Sequence, residues 1–278
     1  MKRGVSEAAG RFGTVVRLTG YIAAVAADQS PPFPKALALL VAGAYFMEVL
    51  DGTIITPAIP LVATSLGVQP IDVNTAISAY LVTVAVLIPV TGWLADRCGI
   101  RRVFNSAIVV FTLASVGCAL SGSLPMLVAM RIVQGVGGAM MVPVGRLAVL
   151  RDSDKSHLMR AIAVLTWPAM AAPVLAPVLG GAIVTLGSWR WIFVVNIPVG
   201  VLGVLLSRRL VRGGPMASGR PLDWPGMLAL SGGIGAALVA LEHIRVAGTD
   251  WSLVGGCGAA ATVLLVSTSA CSACATSR

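Results

Sequence analysis

Runs of about 20 apolar residues, each closed by a short loop that holds the charges, leave this chain one class of fold. The runs lie near Ala36 to Pro60, Val73 to Trp93, Val103 to Ser121, Leu124 to Val149, Ala161 to Leu186, Ile192 to Leu206, Gly226 to Leu241 and Trp251 to Val266. With 57% hydrophobic and only 11% charged residues, so much apolar surface cannot be hidden from water, and lipid is the expected solvent. A backbone in lipid must satisfy its own polar groups, and segments of this length do so as helices. The expectation is an all-α polytopic membrane protein in the cell inner (cytoplasmic) membrane.

The basic residues test that division, because Lys and Arg gather in the cytoplasmic loops of membrane proteins. Lys2, Arg3, Arg11, Arg17 and Lys35 precede the first span, and Arg97, Arg101 and Arg102 follow the second. Arg146, Arg151, Lys155 and Arg160 are assigned around the loop after span four, and Arg208, Arg209, Arg212 and Arg220 to the loop after span six. The alternate loops hold only Arg190 and Arg245, so the N-terminus is expected inside. This also accounts for the net charge of +9 without nucleic acid, since the cations sit in alternate short loops and form no aromatic-studded face. Trp93, Trp189, Trp191, Trp224 and Trp251 fall near span ends, where headgroup-level rings belong. Leu18 to Ala27 imitates a secretory signal, but Arg17, Thr19 and Gly20 suit a cytoplasmic tail better.

Against this apolar background three ionisable residues stand out. Glu48 and Asp51 lie in span one and Arg131 in span four. A charge at mid-bilayer costs at least about 2.5 to 3.5 kcal/mol, so such groups face one another or a wet cavity. An offset of three puts the two carboxylates on one face of the helix. A carboxyl in a low-dielectric setting can exchange a proton near neutral pH, and a changing contact with Arg131 would couple that exchange to conformation. A static buried ion pair that fixes packing is the other reading, and the sequence leaves open which carboxylate carries the proton. Pro168, Pro173 and Pro177 in span five supply either hinges or plain kinks. The chain shows no zinc-ligand cluster, Walker phosphate loop or nucleophile triad, and Cys271 with Cys274 is a lone pair in a small-residue tail. No cofactor, metal or enzymatic activity is expected.

Between spans two and three stand Gly92, Leu94, Ala95, Asp96, Arg97, Gly99, Arg101 and Arg102, a compact turn whose glycines allow close approach and whose charges can cluster. This string resembles the signature loop of the major facilitator superfamily. Span four adds Leu127, Arg131, Gln134, Gly135, Gly137, Gly138 and Ala139, similar to that family's proton-coupling motif. Span five carries Ala172, Pro173, Ala176, Pro177, Gly180 and Gly181, resembling the drug-antiporter motif with alanines in place of two glycines. Span one (Phe46, Met47, Glu48, Leu50, Asp51, Thr53, Ile54) and span six (Trp189, Arg190, Trp191, Phe193, Asn196, Pro198, Gly200) resemble the fourteen-span drug/proton antiporter branch.

The resemblance implies proton-coupled efflux of amphipathic or cationic drugs. Asp51, Glu48 and Arg131 would carry coupling, Gln134 would support them, and Gly92, Asp96, Arg97, Gly99, Arg101 and Arg102 would gate the cytoplasmic side. Pro173, Pro177, Gly180 and Gly181 would form the antiporter-type helix motif. The implied organisation is a tail over 1–35, a six-span N-terminal half over 36–210, a cytoplasmic linker over 211–223, two linker spans over 224–266 and an atypical tail over 267–278. Transporters of this kind have two six-span halves, so a chain with one half is expected to work as a homodimer or with a separate second half. A half-transporter acting as a membrane binding or regulatory partner, or an inactive truncated remnant, remain the alternatives.

Overall fold

The computed structural model describes residues 34–153, 157–185, 187–211, 224–244 and 256. Span one is α1 (Lys35–Ile54), a 3-10 turn (Thr56–Ala58) and α2 (Ile59–Leu66). The break falls at Pro57 and Pro60, which lack the N–H an unbroken helix would use there. Gly67, at φ 65°, ends α2 in the left-handed conformation that side chains with a Cβ avoid. Span two is α3 (Pro70–Cys98), opened by a capping box in which the Gln69 N–H donates to Asp72 at 3.1 Å. Span three is α4 (Ile100–Ala119), span four α5 (Leu124–Arg151) and span five α6 (Leu158–Thr185). Span six joins α7 (Trp191–Val194) to α8 (Asn196–Leu210), and α9 (Trp224–Ile244) follows. Six of these segments are long and apolar enough to cross a membrane. The fold is all-α, and the chain is a multi-pass membrane protein.

Span four is the centre of the bundle because its glycines let three neighbours approach. A Cβ on Gly135 would meet Thr83 and the Tyr80 carbonyl of span two; one on Gly137 would meet the Phe111 nitrogen and Ala107 carbonyl of span three at 2.7 and 2.9 Å. Gly145 admits Val41 and Phe104 from spans one and three in the same way. Such close approach lets dispersion contacts hold helices together where lipid is as apolar as the helices themselves. Span five docks on span one through Ala172, Ala176 and Gly180, a buried stripe spaced by four residues. At Gly180 a Cβ would meet Pro57 and the Ile54 carbonyl, so the two helices touch there despite the methyl groups of the two alanines.

One sequence expectation needs correction. Trp189 does not reach a headgroup layer: it is 1% exposed and packs edge-on against Phe193, with ring centroids 6.1 Å apart. Arg146 lies within α5, over a turn before its end, inside the bounds expected for span four. The α9 helix packs on span two, in the stretch given to the first linker span. The second linker span, the 1–33 part of the N-terminal tail, most of the 211–223 linker and the 267–278 tail lie outside the described residues.

Candidate functional site: a buried ion pair and a separate acidic pocket

Two apolar clusters divide the bundle interior, one around Val41, Phe104, Ile108 and Val144 and one around Ile54, Val62, Leu127, Ala176 and Phe193. The charged centre sits near their boundary. Arg131 of span four donates through Nη1 to Oδ2 of Asp51 in span one at 2.5 Å, and both side chains are wholly buried. Arg131 Nη1 also donates to Gln134 Oε1 at 2.8 Å, and Nη2 to the Asp51 carbonyl at 3.4 Å. The second carboxylate oxygen of Asp51 accepts from Asn196 Nδ2 at 2.6 Å and from Gln134 Nε2 at 3.1 Å. Gln134 Nε2 donates further to the Ser115 hydroxyl at 2.8 Å, and the Cys118 thiol lies 3.8 Å from Gln134 Oε1. Aromatic rings flank the guanidinium: its carbon lies 4.9 Å from the Tyr80 centroid and 5.2 Å from that of Phe193. One charge pair thus ties together spans one, two, three, four and six.

Burying two ions costs several kcal/mol each, which close geometry and further hydrogen bonds must offset. Asp51 has both oxygens engaged, whereas Arg131 keeps one buried donor, Nε, without a partner among the described residues. The arrangement holds together only while Asp51 carries its charge. A proton placed on Oδ2 would remove the acceptor at the shortest bond and leave a buried cation uncompensated.

Glu48 does not join this centre. It is half-buried and lines a cavity of about 370 Å³ framed by spans one, two and four, with Tyr45, Val84, Ile88, Gly138, Ala139, Val142, Pro143 and Arg146. Tyr80 stands between the two carboxylates: its ring faces Arg131 while its hydroxyl donates to the Glu48 carbonyl at 3.4 Å. Arg146 stacks on Tyr45, 4.6 Å from the ring centroid, and its Nε is buried without a partner among the described residues.

The turn between spans two and three reverses at Gly99, whose φ of 86° is a conformation open to glycine. No ion pair joins Asp96 to Arg97, Arg101 or Arg102 here, and all four are exposed. Arg97 lies over Trp93 at 5.6 Å, and Arg101 Nη2 donates to the Arg208 carbonyl at 2.6 Å, fastening span three to the end of span six. Gly92 is exposed and has nothing within 4 Å of where a Cβ would stand, so it serves no close approach among the described helices. In span five Gly180 is packed, Pro173 and Pro177 face outward, and Gly181 borders open space.

Sequence reasoning gave no site role to Asn196, Ser115, Tyr80 or Phe193. Asn196 and Phe193 stood in the span six string, and an Asn in an apolar span signals an interior hydrogen bond. Ser115 and Tyr80 are ordinary residues for a membrane helix and carried no comparable mark.

Five helices converge on one buried ion pair in a polytopic membrane bundle. Residues 41–275 match the model of the Major Facilitator Superfamily, and the chain belongs to that family of transporters, which are not enzymes. It is 44% identical over 228 residues to "Putative multidrug resistance protein MdtD" of Salmonella newport, an alignment that covers 81% of this chain and 48% of that protein. The Salmonella typhimurium protein of the same name matches to the same extent. The chain therefore spans about half the length of the curated relatives it matches. Among solved structures, an auto-inhibited POT family peptide transporter aligns with a TM-score of 0.58 at 18% identity, covering 86% of this chain and 51% of that one. The proton:xylose symporter XylE aligns at 0.55 and 15%, covering 84% and 53%. At these identities the likeness is one of fold.

Proposed function

We propose that this chain forms one half of a proton-coupled exporter of amphipathic or cationic drugs in the cytoplasmic membrane. The observation that carries the reading is the Asp51–Arg131 pair, a single carboxylate whose charge holds spans one, four and six together. Protonation of Asp51 releases Arg131 and Asn196 and lets these spans shift; loss of the proton restores the closed arrangement. Gln134, which touches both partners and Ser115, keeps the carboxylate in place between these events. The relatives' multidrug-resistance name supports the substrate class.

Mostly outward-facing side chains on spans two and five leave room for a second six-span body, such as another copy or a separate chain. The basic residues Arg97, Arg101, Arg102, Arg151 and Arg208, with Lys35 of the N-terminal segment, support a cytoplasmic position for this end. Asp96, exposed and unpaired with its neighbouring arginines, is then free to latch onto the second body.

The test is efflux of a lipophilic cation from proteoliposomes holding the purified chain, with and without an imposed pH gradient. Gradient-driven efflux that disappears in Asp51→Asn supports the reading. Specific co-purification with another membrane protein, together with no flux from folded chain, would favour a binding or regulatory half-transporter.

A further inference from the structure

The pocket beside the ion pair presents two opposite charges that the coupling scheme leaves unused. Glu48 and Arg146 both line it and are not within ion-pair distance of each other. The buried Nε of Arg146 has no hydrogen-bond partner among the described residues. The walls between them are apolar, with Ile88 and Val142 among them. The Glu48 carboxylate lies at the level of Gly138, since a Cβ there would stand 3.6 Å from Oε1. Arg146 starts eight residues further along the same helix, about 12 Å on, and reaches back over Tyr45, which lies about 4.5 Å from Glu48 along span one. The two groups thus line one largely apolar pocket without meeting as an ion pair.

We propose that this pocket is a binding site for an amphipathic zwitterion, with Glu48 taking its ammonium end, Arg146 its carboxylate end, and Ile88 and Val142 its apolar body. The proposal rests on the transport reading and narrows its substrate class from cations to molecules carrying both charges. A plain cation satisfies Glu48 but leaves Arg146 over Tyr45, while a plain anion does the reverse. Only a ligand with both groups answers both half-buried side chains at once.

The test measures binding to the purified chain in detergent, by ligand-observed NMR with no gradient imposed. The probes are 4′-(aminomethyl)biphenyl-4-carboxylate, its methyl ester, which keeps only the cation, and its N-acetyl derivative, which keeps only the anion. The zwitterion is expected to bind roughly tenfold tighter than either relative, the gain of one charge-assisted contact. Glu48→Gln should weaken the zwitterion and the ester and spare the N-acetyl form, whereas Arg146→Gln should weaken the zwitterion and the N-acetyl form and spare the ester. Equal affinities for the three probes, no binding of any, or variants that weaken all three alike would overturn the assignment. Ile88→Trp fills the cavity and touches neither charge, so it gives a second route: it should abolish binding of all three, and retained binding would also overturn the site. Proton-driven flux without charge preference would sink the zwitterion site alone; the charge pattern without proton-driven flux would sink the transport reading alone.

Discussion

Asp51 and Glu48 sit three residues apart on one helix and meet opposite surroundings. That offset leaves their side chains about 60° apart around the axis. The difference turns Asp51 toward spans four and six, where Arg131, Gln134 and Asn196 saturate it, and turns Glu48 toward a cavity where no described residue forms an ion pair with it. Tyr80 separates the two by giving its ring to one side and its hydroxyl to the other. The lesson is that sharing a helix face does not make two intramembrane acids one functional unit. The saturated one anchors a network that reaches five helices, which the coupling proposal uses; the open one faces a pocket, which the ligand proposal uses.

Breaking the saturated side should have the largest effect. Asp51→Ala strands a buried guanidinium, and a loss of about 3 to 5 kcal/mol is expected, measured as a lower unfolding midpoint of the purified chain in detergent. The double variant Asp51→Ala with Arg131→Met should recover much of that loss, since no lone charge then remains buried. A double variant no more stable than Asp51→Ala would show that the pair is not coupled. Asn196→Ala comes next: it removes one of the two hydrogen bonds to Asp51 Oδ1 and should cost about 1.5 to 3 kcal/mol by the same measurement. An unchanged midpoint would remove Asn196 from the centre.

How much of this contrast was legible before the fold is a matter of which forces leave a mark in sequence. Apolar length marks a span in any context, so spans two, three, four and six emerge within a few residues of α3, α4, α5 and α8. Asp51, Arg131 and Gln134 were readable as polar groups in an apolar run, and the structure brings those three together. Glu48 carried the same mark and lies elsewhere, because the 60° between it and Asp51 is resolved only by what packs on each side. Arg146 was counted among the basic residues around the loop after span four although the span's bounds contain it; its helix continues to Arg151. Trp189 likewise obeyed the packing of Phe193 rather than the interfacial preference of its ring.

Adjacent glycines sharpen the comparison with smaller effects. Gly137 faces the backbone of span three, where a Cβ would stand 2.7 Å from the Phe111 nitrogen, so Gly137→Ala must push two helices apart and should cost about 1 to 3 kcal/mol. Gly138 faces the open side, where the same methyl would meet side-chain atoms alone: the Tyr80 hydroxyl at 3.2 Å, Glu48 Cγ at 3.5 Å and Glu48 Oε1 at 3.6 Å. Gly138→Ala should therefore leave the unfolding midpoint nearly unchanged. A similar loss in both variants would mean that the pocket side is packed as tightly as the ion-pair side.

The smallest expected effect is the most telling. Glu48→Gln keeps the shape of a side chain that is half-buried and makes no ion pair, so stability should change by no more than about 0.5 kcal/mol. Its consequence belongs to function: uptake of protons through Asp51 should persist, while the choice among cationic, anionic and zwitterionic ligands should shift. Measuring the unfolding midpoint and gradient-driven flux on the same preparation separates the two residues cleanly. If Glu48→Gln abolished the response to the pH gradient as Asp51→Asn is expected to do, the two acids would act as one relay across Tyr80, and the division between a coupling centre and a ligand pocket would fall.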